Sequence, residues 1–358
     1  MTFEEARALF PVLGSVAYLN AGTFGPLARP VAEALESGVE RDLELGRTGR
    51  SAFEETLALR DELRSAFATL VGAAPEAVAL TTSTTDGCGI VLRGLGLTAE
   101  DEIVTTTDEH FGLLGPVAAS GATVVVVSPD PERIAAAVTS RTRLIATSRV
   151  LWTTGAVLPL RELREQCGVP VLADGAQSVG AIPDDVGGID YLTISGQKWL
   201  CGPDSTGALV VRDVDSLAIV SPGYFSQRSH DPDGSFEPHP GARRFDSGWW
   251  SNGTVRAMLA ALALRPDWWA ERSAAAAATC RRLLAPLVDV VEAEPSSTLV
   301  SFRVEDDEAS TVVEGLGERG VDVREIPGRG LVRVSCGWWT TDDDLERLAA
   351  GVDNVPGT

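Results

Sequence analysis

Lysine is almost absent from this sequence of 358 residues. Of its 30 basic residues, 29 are arginine and one, Lys198, is lysine. Arginine stays protonated and cannot attack a carbonyl, whereas a buried lysine can lose its proton and form an imine. The near-complete replacement of lysine by arginine therefore singles out Lys198 as a residue whose amine is needed. A chance surface lysine is the alternative, and the sequence around Lys198 has to decide.

Other features are missing as well. No stretch reaches about 18 apolar residues, so we expect no transmembrane helix and no membrane partner. The acidic N-terminal segment MTFEEARALF lacks the basic and then apolar order of a signal peptide. A formal net charge of −21, without a basic stripe, argues against a nucleic-acid partner. We therefore expect a cytoplasmic protein.

Cysteines are few, scattered and odd in number. This pattern favours reduced thiols over a disulfide framework, and it predicts no metal site. The five are Cys88, Cys167, Cys201, Cys280 and Cys336.

Short apolar runs alternate with helical stretches through the first two-thirds of the chain. The alternation predicts an α/β fold, in which a mainly parallel sheet carries helices on both faces. Helices fit between several strands, for example at residues 131–138 and 160–166. Seven runs are typical of buried strands: residues 78–81, 102–105, 123–127, 144–147, 169–173, 191–194 and 207–211.

The pattern changes after about residue 250, where longer helices and isolated strands predict a smaller α+β domain. Residues 226–244, rich in Pro, Gly, Asp and His, are predicted as a long loop. We predict an N-terminal segment (1–20) packing on the small domain, a large domain (21–250) and a small C-terminal domain (251–358). The predicted elements of the small domain are helices 255–264, 268–288, 310–319 and 341–350, and strands 298–304 and 331–335.

Two strand ends carry residues suited to a cofactor. Asp174 ends the apolar run in VPVLADGAQS (169–178), and ligands of open α/β sheets bind at the carboxyl ends of strands. Its carboxylate is suited to pair with a protonated pyridine nitrogen, and Gln177 is suited to reach a ring hydroxyl. An ordinary Asp-Gly turn would look the same. Lys198 follows the next strand, in YLTISGQKWLCGP (191–203), so parallel pairing would bring Lys198 and Asp174 to one edge.

Two further segments follow strands. The run LTTSTTDG (80–87) precedes a helix beginning at about Gly87 and is suited to cradle a phosphate, although a Thr/Ser-rich helix cap is the alternative. His110, in TDEHFG (107–112), is suited to stack on a pyridine ring, but a lone histidine is more often a structural hydrogen-bonder.

Together these segments resemble the aminotransferase class V family of fold-type-I pyridoxal-phosphate (PLP) enzymes, the branch that contains cysteine desulfurases. The resemblance runs from YLNAGT (18–23) to RVSCGWWTTDDD (333–344). It implies a PLP-dependent transferase fold with a seven-stranded, mainly parallel sheet in the large domain. It also implies that Lys198 holds PLP covalently, Asp174 pairs with the ring nitrogen and His110 stacks on the ring. The remaining cofactor-binding residues that it implies are Thr84, Thr85 and Ser195 at the phosphate, Gln177 at the ring oxygen, and Gln197 and Trp249.

The resemblance also implies where the substrate binds. Arg333 matches the arginine that holds the α-carboxylate of an amino acid, a role that suits a bidentate guanidinium. A surface ion pair is the alternative for this arginine. Asn20, Thr23 and Trp152 are expected near the substrate. The family is usually homodimeric, and residues 244–254 resemble the stretch that reaches across the interface.

The sequence departs from the desulfurase pattern at three places. The loop REIPGRGL (324–331) lacks the nucleophilic cysteine, and Cys336 lies on the wrong side of Arg333. Gln197 stands where desulfurases have histidine, and Trp249 with Trp250 stands where the family has Gly-Thr-Pro, so these indoles would narrow the pocket or stack on an unsaturated substrate. We therefore expect an aminotransferase acting on an α-amino acid. A β-eliminating C–S lyase or desulfurase-like enzyme is the alternative, and a catalytically silent cofactor-binding relative is the third hypothesis.

Overall fold

A computed structural model describes residues 1–183, 186–305 and 308–354 of the chain. Over these residues, no helix combines the length and the apolar character that crossing a membrane requires. The helices are α1 Phe3–Ala8, α2 Arg29–Leu45, α3 Arg50–Leu70, α4 Thr84–Gly94, α5 Phe111–Ala118, α6 Pro131–Ala136, α7 Leu160–Cys167, α8 Asn252–Leu264, α9 Trp269–Leu284, α10 Ala309–Glu318 and α11 Asp342–Val352. The strands are β1 Ala17–Tyr18, β2 Val78–Thr81, β3 Glu102–Thr106, β4 Thr123–Val127, β5 Thr142–Ser148, β6 Val171–Asp174, β7 Tyr191–Ser195, β8 Gly207–Val211, β9 Gln227–His230, β10 Phe236–Pro238, β11 Leu299–Arg303, β12 Val321–Asp322, β13 Arg324–Ile326 and β14 Leu331–Ser335.

Seven strands form the central sheet, in the order β2-β8-β7-β6-β5-β3-β4. Pairing is parallel from β7 through β6, β5 and β3 to β4, and only β8 runs against its neighbours. Every residue of β2, β3, β6, β7 and β8 is buried, as expected where helices cover both faces of a sheet. The predicted α/β class, the seven strands and the mainly parallel sheet are confirmed.

The small domain packs helices against a three-stranded antiparallel sheet, in the order β11-β14-β13. Its core is separate from that of the large sheet and joins residues of α9, α10 and α11 to the strands. The N-terminal segment reaches this part of the chain because β1 pairs with β12. Helix α8 instead packs on α2 and α3 and shares the core of the large sheet. The domain boundaries at residues 20 and 250 stay a prediction.

Three expectations about local structure were incomplete or wrong. Residues 226–244 are not a plain loop, because β9 and β10 form an antiparallel hairpin and a 3₁₀ turn follows at Gly241–Phe245. The Asp, Pro and Gly residues read as a loop belong to the hairpin turn, where the Asp231 N–H donates to the Ser235 carbonyl at 2.8 Å. Helix α4 begins at Thr84, three residues before the predicted start, and α9 ends at Leu284 instead of 288. Helices α2 and α3 were not predicted.

Candidate active site

The carboxyl ends of three neighbouring strands converge on one point. In the parallel register Ser148 lies beside Asp174, and Asp174 lies beside Thr193. Asp174 is buried, and its Oδ1 accepts hydrogen bonds from the Ala176 N–H at 2.9 Å and from Thr193 Oγ1 at 3.5 Å. The strand-end position predicted for Asp174 is therefore the one the fold gives it.

A cavity of about 170 Å³ opens at this edge of the sheet and contains most of the predicted site residues. Nine of them come together there, from five separate stretches of the chain. The residues that line the cavity are Ser83, Thr84, Thr85, His110, Ser148, Trp152, Asp174, Ala176, Gln177, Ser195, Gln197 and Lys198.

Lys198 sits in the turn after β7 with a strongly altered proton affinity. Burial lowers its pKa from 10.5 to about 8; the negative charge of Asp174 opposes that fall, and the positive charge of Arg333 adds to it. A useful fraction of the amine is therefore neutral near physiological pH. Only the neutral form can attack a carbonyl carbon.

His110 caps α5 and presents its ring to the cavity. Its Nδ1 accepts a hydrogen bond from the Gly112 N–H at 3.0 Å, which places the proton of the neutral ring on Nε2. The ring meets Trp152 edge-on, with centroids 5.1 Å apart. Burial and the charge of Lys198 lower the pKa of His110, so the ring is neutral and suited to stack on a flat heterocycle.

The amino end of α4 supplies donors for an anion. Ser83 caps the helix by accepting a hydrogen bond from the Asp86 N–H at 3.1 Å, and Thr84 and Thr85 form the first turn. Unpaired N–H groups at such an end favour a phosphate. Across the cavity, the hydroxyl of Ser195 donates to Gln197 Oε1 at 2.9 Å.

Gln177 is held by the protein at both ends of its amide. Its Nε2 donates to the Gly22 carbonyl at 2.8 Å, and its Oε1 accepts from Trp199 Nε1 at 3.0 Å. One amide proton remains for a ligand. The predicted contact of Gln177 with a ring oxygen stays a prediction.

Arg333 lies beside the cavity on β14, in contact with Trp152. Its Nη1 donates to the Trp152 carbonyl at 3.1 Å and its Nη2 to Thr23 Oγ1 at 3.4 Å, while its buried Nε has no partner among the described residues. Burial and the charge of Arg324 lower its pKa to about 9, which still leaves it cationic at neutral pH. A buried cation with an unsatisfied donor is suited to bind a carboxylate.

Two predicted substrate residues, Thr23 and Asn20, form a chain of hydrogen bonds that leads away from Arg333. Thr23 Oγ1 donates to Asn20 Oδ1 at 2.7 Å, and Asn20 Nδ2 donates to Asp322 Oδ1 at 3.0 Å. Thr23 therefore lies between Arg333 and Asn20. The direct role predicted for Asn20 at the substrate stays a prediction.

Trp249 is the one predicted cofactor residue that the fold places elsewhere. It is 62% exposed and lines a different cavity, together with Leu45 and Phe53. Trp250 lines that cavity as well and is buried. Within one chain these indoles do not line the cavity that holds Lys198. Arg60 of α3 binds the Asp246 carboxylate and the Gly248 carbonyl just before them.

Sequence reasoning missed three residues of this region. Ser148 lines the cavity, yet the predicted strand stopped one residue before it. Glu109 is a buried carboxylate next to His110, and Arg324 acts electrostatically on both His110 and Arg333. Ser148 had a visible signal as the polar residue that ends an apolar run.

The family model described as Aminotransferase class-V matches residues 27–348. The chain belongs to the aminotransferase class-V family. It is a PLP-dependent enzyme, as the resemblance implied, and its fold is the fold type I of these enzymes.

Three similar proteins and structures span nearly the whole chain of this class-V enzyme. The isopenicillin N epimerase of Streptomyces clavuligerus is 28% identical over 99% of this chain and 98% of its own. A structure of C-DES with glycine covalently linked to PLP has a TM-score of 0.91 at 27% identity, covering 98% of this chain and 99% of the other. The complex of the cystine C–S lyase C-DES with its product, cysteine persulfide, has a TM-score of 0.90 at 28% identity, covering 97% and 99%.

The residues of this chain fit PLP on their own evidence. The lysine has a lowered pKa, the amino end of α4 faces the same cavity, and Asp174 is a buried acid at the carboxyl end of β6 that also lines it. These groups match an aldehyde, a phosphate and a ring nitrogen respectively.

Proposed function

We propose that this class-V enzyme is a lyase that cleaves the C–S bond of an α-amino acid by β-elimination. The observation that carries the proposal is the likeness of the whole chain to the cystine C–S lyase, with a TM-score of 0.90 at 28% identity. The loop at residues 324–331 has no cysteine to receive sulfur, which favours release of the sulfur on a small product. Transamination, favoured at the sequence level by Gln197, is the second candidate.

A second arginine supports a substrate with two carboxylates. Arg324 pairs directly with Arg333 across β13 and β14, so the two side chains leave the same face of the sheet. Arg324 is exposed, has no ion pair among the described residues, and its charge acts on both Arg333 and His110. We infer that Arg333 binds the α-carboxylate and Arg324 the distal one, as a cystine-like substrate would require.

The side chains divide the work of such a reaction. Bound PLP withdraws electrons from Cα of the substrate. In this proposal Asp174 keeps the ring nitrogen protonated, Arg333 orients the amino acid, and Lys198 Nζ takes the proton from Cα as a general base. The β-sulfur leaves with the electron pair of its bond to Cβ, and hydrolysis then yields a keto acid and ammonia. His110 and Trp152 form one side of the cavity, where their rings meet edge-on.

The keto-acid yield separates the two candidates. The purified holoenzyme is supplied with cystine and no keto-acid acceptor, and pyruvate is measured against the enzyme concentration. We expect many pyruvate molecules per active site, because elimination regenerates the cofactor. A yield that stops at one keto acid per site would show transamination and contradict the proposal.

The distal carboxylate site has its own control substrate. Arg324→Ala is expected to raise KM for cystine more than KM for S-methylcysteine, which lacks the second carboxylate. An equal change in KM for both substrates would show that Arg324 does not bind the distal carboxylate. The proposal of β-elimination would not be affected by that result.

We further propose that the enzyme is a cytoplasmic homodimer. Phe53, Tyr224 and Trp249 form an exposed aromatic patch, with the centroids of Tyr224 and Trp249 5.4 Å apart. The patch borders a cavity of about 570 Å³ that a second copy of the chain could fill. In such a dimer the predicted cofactor contact of Trp249 would be made to the partner. All five cysteines are free thiols, as suits a reducing compartment.

A further inference from the structure

Two buried glutamates lie at opposite ends of β3 and differ in their partners. Glu102, the first residue of the strand, is 4% exposed and accepts hydrogen bonds from Arg141 and Thr139. Glu109, just past the other end, is 5% exposed and has no ion pair among the described residues. A buried carboxylate without a cation is costly, so Glu109 calls for an explanation that Glu102 does not.

Glu109 accepts hydrogen bonds from uncharged groups at two strand ends. Oε1 accepts from Thr106 Oγ1 at 2.7 Å and from the hydroxyl of Thr147. Oε2 accepts from the Ser148 N–H at 2.9 Å and from Ser148 Oγ at 2.6 Å. The carboxylate therefore ties the end of β3 to the end of β5. Because the Ser148 hydroxyl donates its proton to Glu109, only the lone pairs of its oxygen remain to accept hydrogen bonds from the cavity.

The position of Glu109 links it to the cofactor residues. Ser148 is the register neighbour of Asp174, and strands in a sheet lie about 4.8 Å apart. Glu109 also precedes His110 directly, so fixing its carboxylate fixes the start of α5. Two residues that line the cavity thus depend on one buried side chain.

The charge of Glu109 acts in the same region. Burial raises its pKa and the hydrogen bonds from Ser148, Thr147 and Thr106 oppose that rise; the Ser148 N–H can only donate, which favours the ionised form. Burial raises the pKa of the Cys88 thiol on α4, and the charges of Asp174 and Glu109 add to this rise. The titratable groups around this point are Cys88 on α4, Asp174 on β6, Lys198 after β7 and His110 before α5.

We propose that Glu109 is a positioning residue of the cofactor site. It holds Ser148 and His110 in place and adds a second buried negative charge to that of Asp174. That charge favours protonation of the cationic groups meeting in the cavity, including the nitrogen that joins Lys198 to PLP. The inference rests on the cofactor and not on the choice between elimination and transamination.

The test is a pH titration of the visible absorbance of the holoenzyme without substrate, together with the Kd for PLP. Glu109→Gln removes the charge and sets an N–H₂ group against the donors of Ser148. We expect the absorbance midpoint to fall by roughly one pH unit, because a buried negative charge at this range has about that effect. We expect the Kd for PLP to rise roughly three- to tenfold, as a lost hydrogen bond would give.

Two further variants distinguish the effect of the Glu109 charge from the positioning of Ser148 and His110 and from a general loss of stability. Glu102→Gln makes the same chemical change at the far edge of the sheet and should leave both the midpoint and the Kd for PLP unchanged. Glu109→Asp keeps the charge but is too short to reach both strand ends, so it should keep the midpoint and weaken PLP binding, and it tests positioning even if Glu109→Gln fails to fold. An unchanged midpoint in Glu109→Gln, wild-type PLP affinity in Glu109→Asp, or an equal shift in Glu102→Gln would overturn the proposal.

Discussion

Burial changes the chemistry of Lys198 more than any neighbouring charge does. The pKa of about 8 implies that the amine gains its nucleophilic form about 2.5 pH units earlier than an ordinary lysine would. Well below pH 8 most of the amine is protonated and inert, and well above it most of the amine is neutral. We therefore expect the rate at which the apoenzyme captures PLP to rise with pH and to level off above about 8. Stopped-flow absorbance over pH 6 to 10 measures it, with Lys198→Ala as the control that captures none. A rate still climbing steeply at pH 10 would contradict the assignment.

Gly22 is a second residue whose identity the site dictates. A Cβ at this position would lie 2.7 Å from Nη2 of Arg333, closer than real Cβ contacts come, and 3.0 Å from Oε1 of Gln177, which is a tight contact. Gly22→Ala should push the guanidinium away from the substrate carboxylate and raise KM by roughly tenfold or more, since charge-assisted hydrogen bonds are lost.

Gly14→Ala is the matched control for this glycine, because nothing lies within 4 Å of a Cβ there. It should leave KM unchanged. If Gly22→Ala lowered the melting temperature and left KM unchanged, Gly22 would be needed for folding and not for the position of Arg333.

Residues differ in how far the sequence could predict them. Lys198, Asp174 and His110 were predicted to meet because each follows a strand, and parallel strands bring their carboxyl ends to one edge. Glu109 was missed because its partners lie on a distant strand, and Arg324 because the register of its hairpin is not evident from the sequence. Nothing in the spacing of Arg324 and Arg333 tells that β13 and β14 place them opposite each other.

At the scale of elements, the hairpin β13–β14 carries Arg324 and Arg333 and contacts the segment that precedes His110. Its tip is the turn Pro327 to Gly330. Gly328 and Gly330 both have positive φ, which glycine adopts at little cost, and Arg329 lies between them. Arg329 Nη2 donates to the Thr107 carbonyl at 2.7 Å, and Nη1 contacts Asp108 Oδ1 at 3.4 Å. These bonds fasten the small domain to the segment that carries His110.

Releasing this hairpin should weaken substrate binding without a large loss of stability. Arg329→Ala is expected to raise KM two- to fivefold and to lower the free energy of unfolding by about 1 kcal/mol or less, as is usual for a partly exposed ion pair. Arg303→Ala, which removes an exposed pair with Asp289 on the small domain, is the control and should leave KM unchanged. Steady-state kinetics and urea unfolding of both variants provide the measurement, and equal KM values would refute a role for the hairpin tip.

Strands and hairpins were predictable to different degrees for a physical reason. Five of the seven strands of the large sheet are buried along their whole length, so they appear as short, mostly apolar runs. The strands β9 and β10 are short and mostly exposed, so their composition resembles that of a loop. Helices α2 and α3 have only a narrow buried stripe, and their many charged residues hid it.

At the scale of the whole molecule, the sequence predicted an architecture but could not place the segment at residues 244–254. Within one chain this segment is anchored by Asp246, which accepts hydrogen bonds from Arg60 at 2.8 Å and Arg64 at 2.9 Å. The anchor holds Trp249 on the outer surface. The proposed role of Trp249 at a cofactor therefore depends on a second chain, and no pattern within one sequence supplies a partner's position.

The proposed dimer can be tested at Leu45, which is 69% exposed and lines the same cavity as Trp249. Leu45→Asp adds a negative charge at each side of the proposed interface, to a chain whose net charge is already −21. Burying such a charge without a partner is costly, so we expect a monomer in size-exclusion chromatography with light scattering, and weaker binding of PLP. Leu287→Asp places the same charge beyond α9 on the small domain and should stay dimeric. If the Leu45→Asp variant stays dimeric, the interface does not include Leu45. If the wild-type enzyme is a monomer with full PLP affinity, one chain completes its own site.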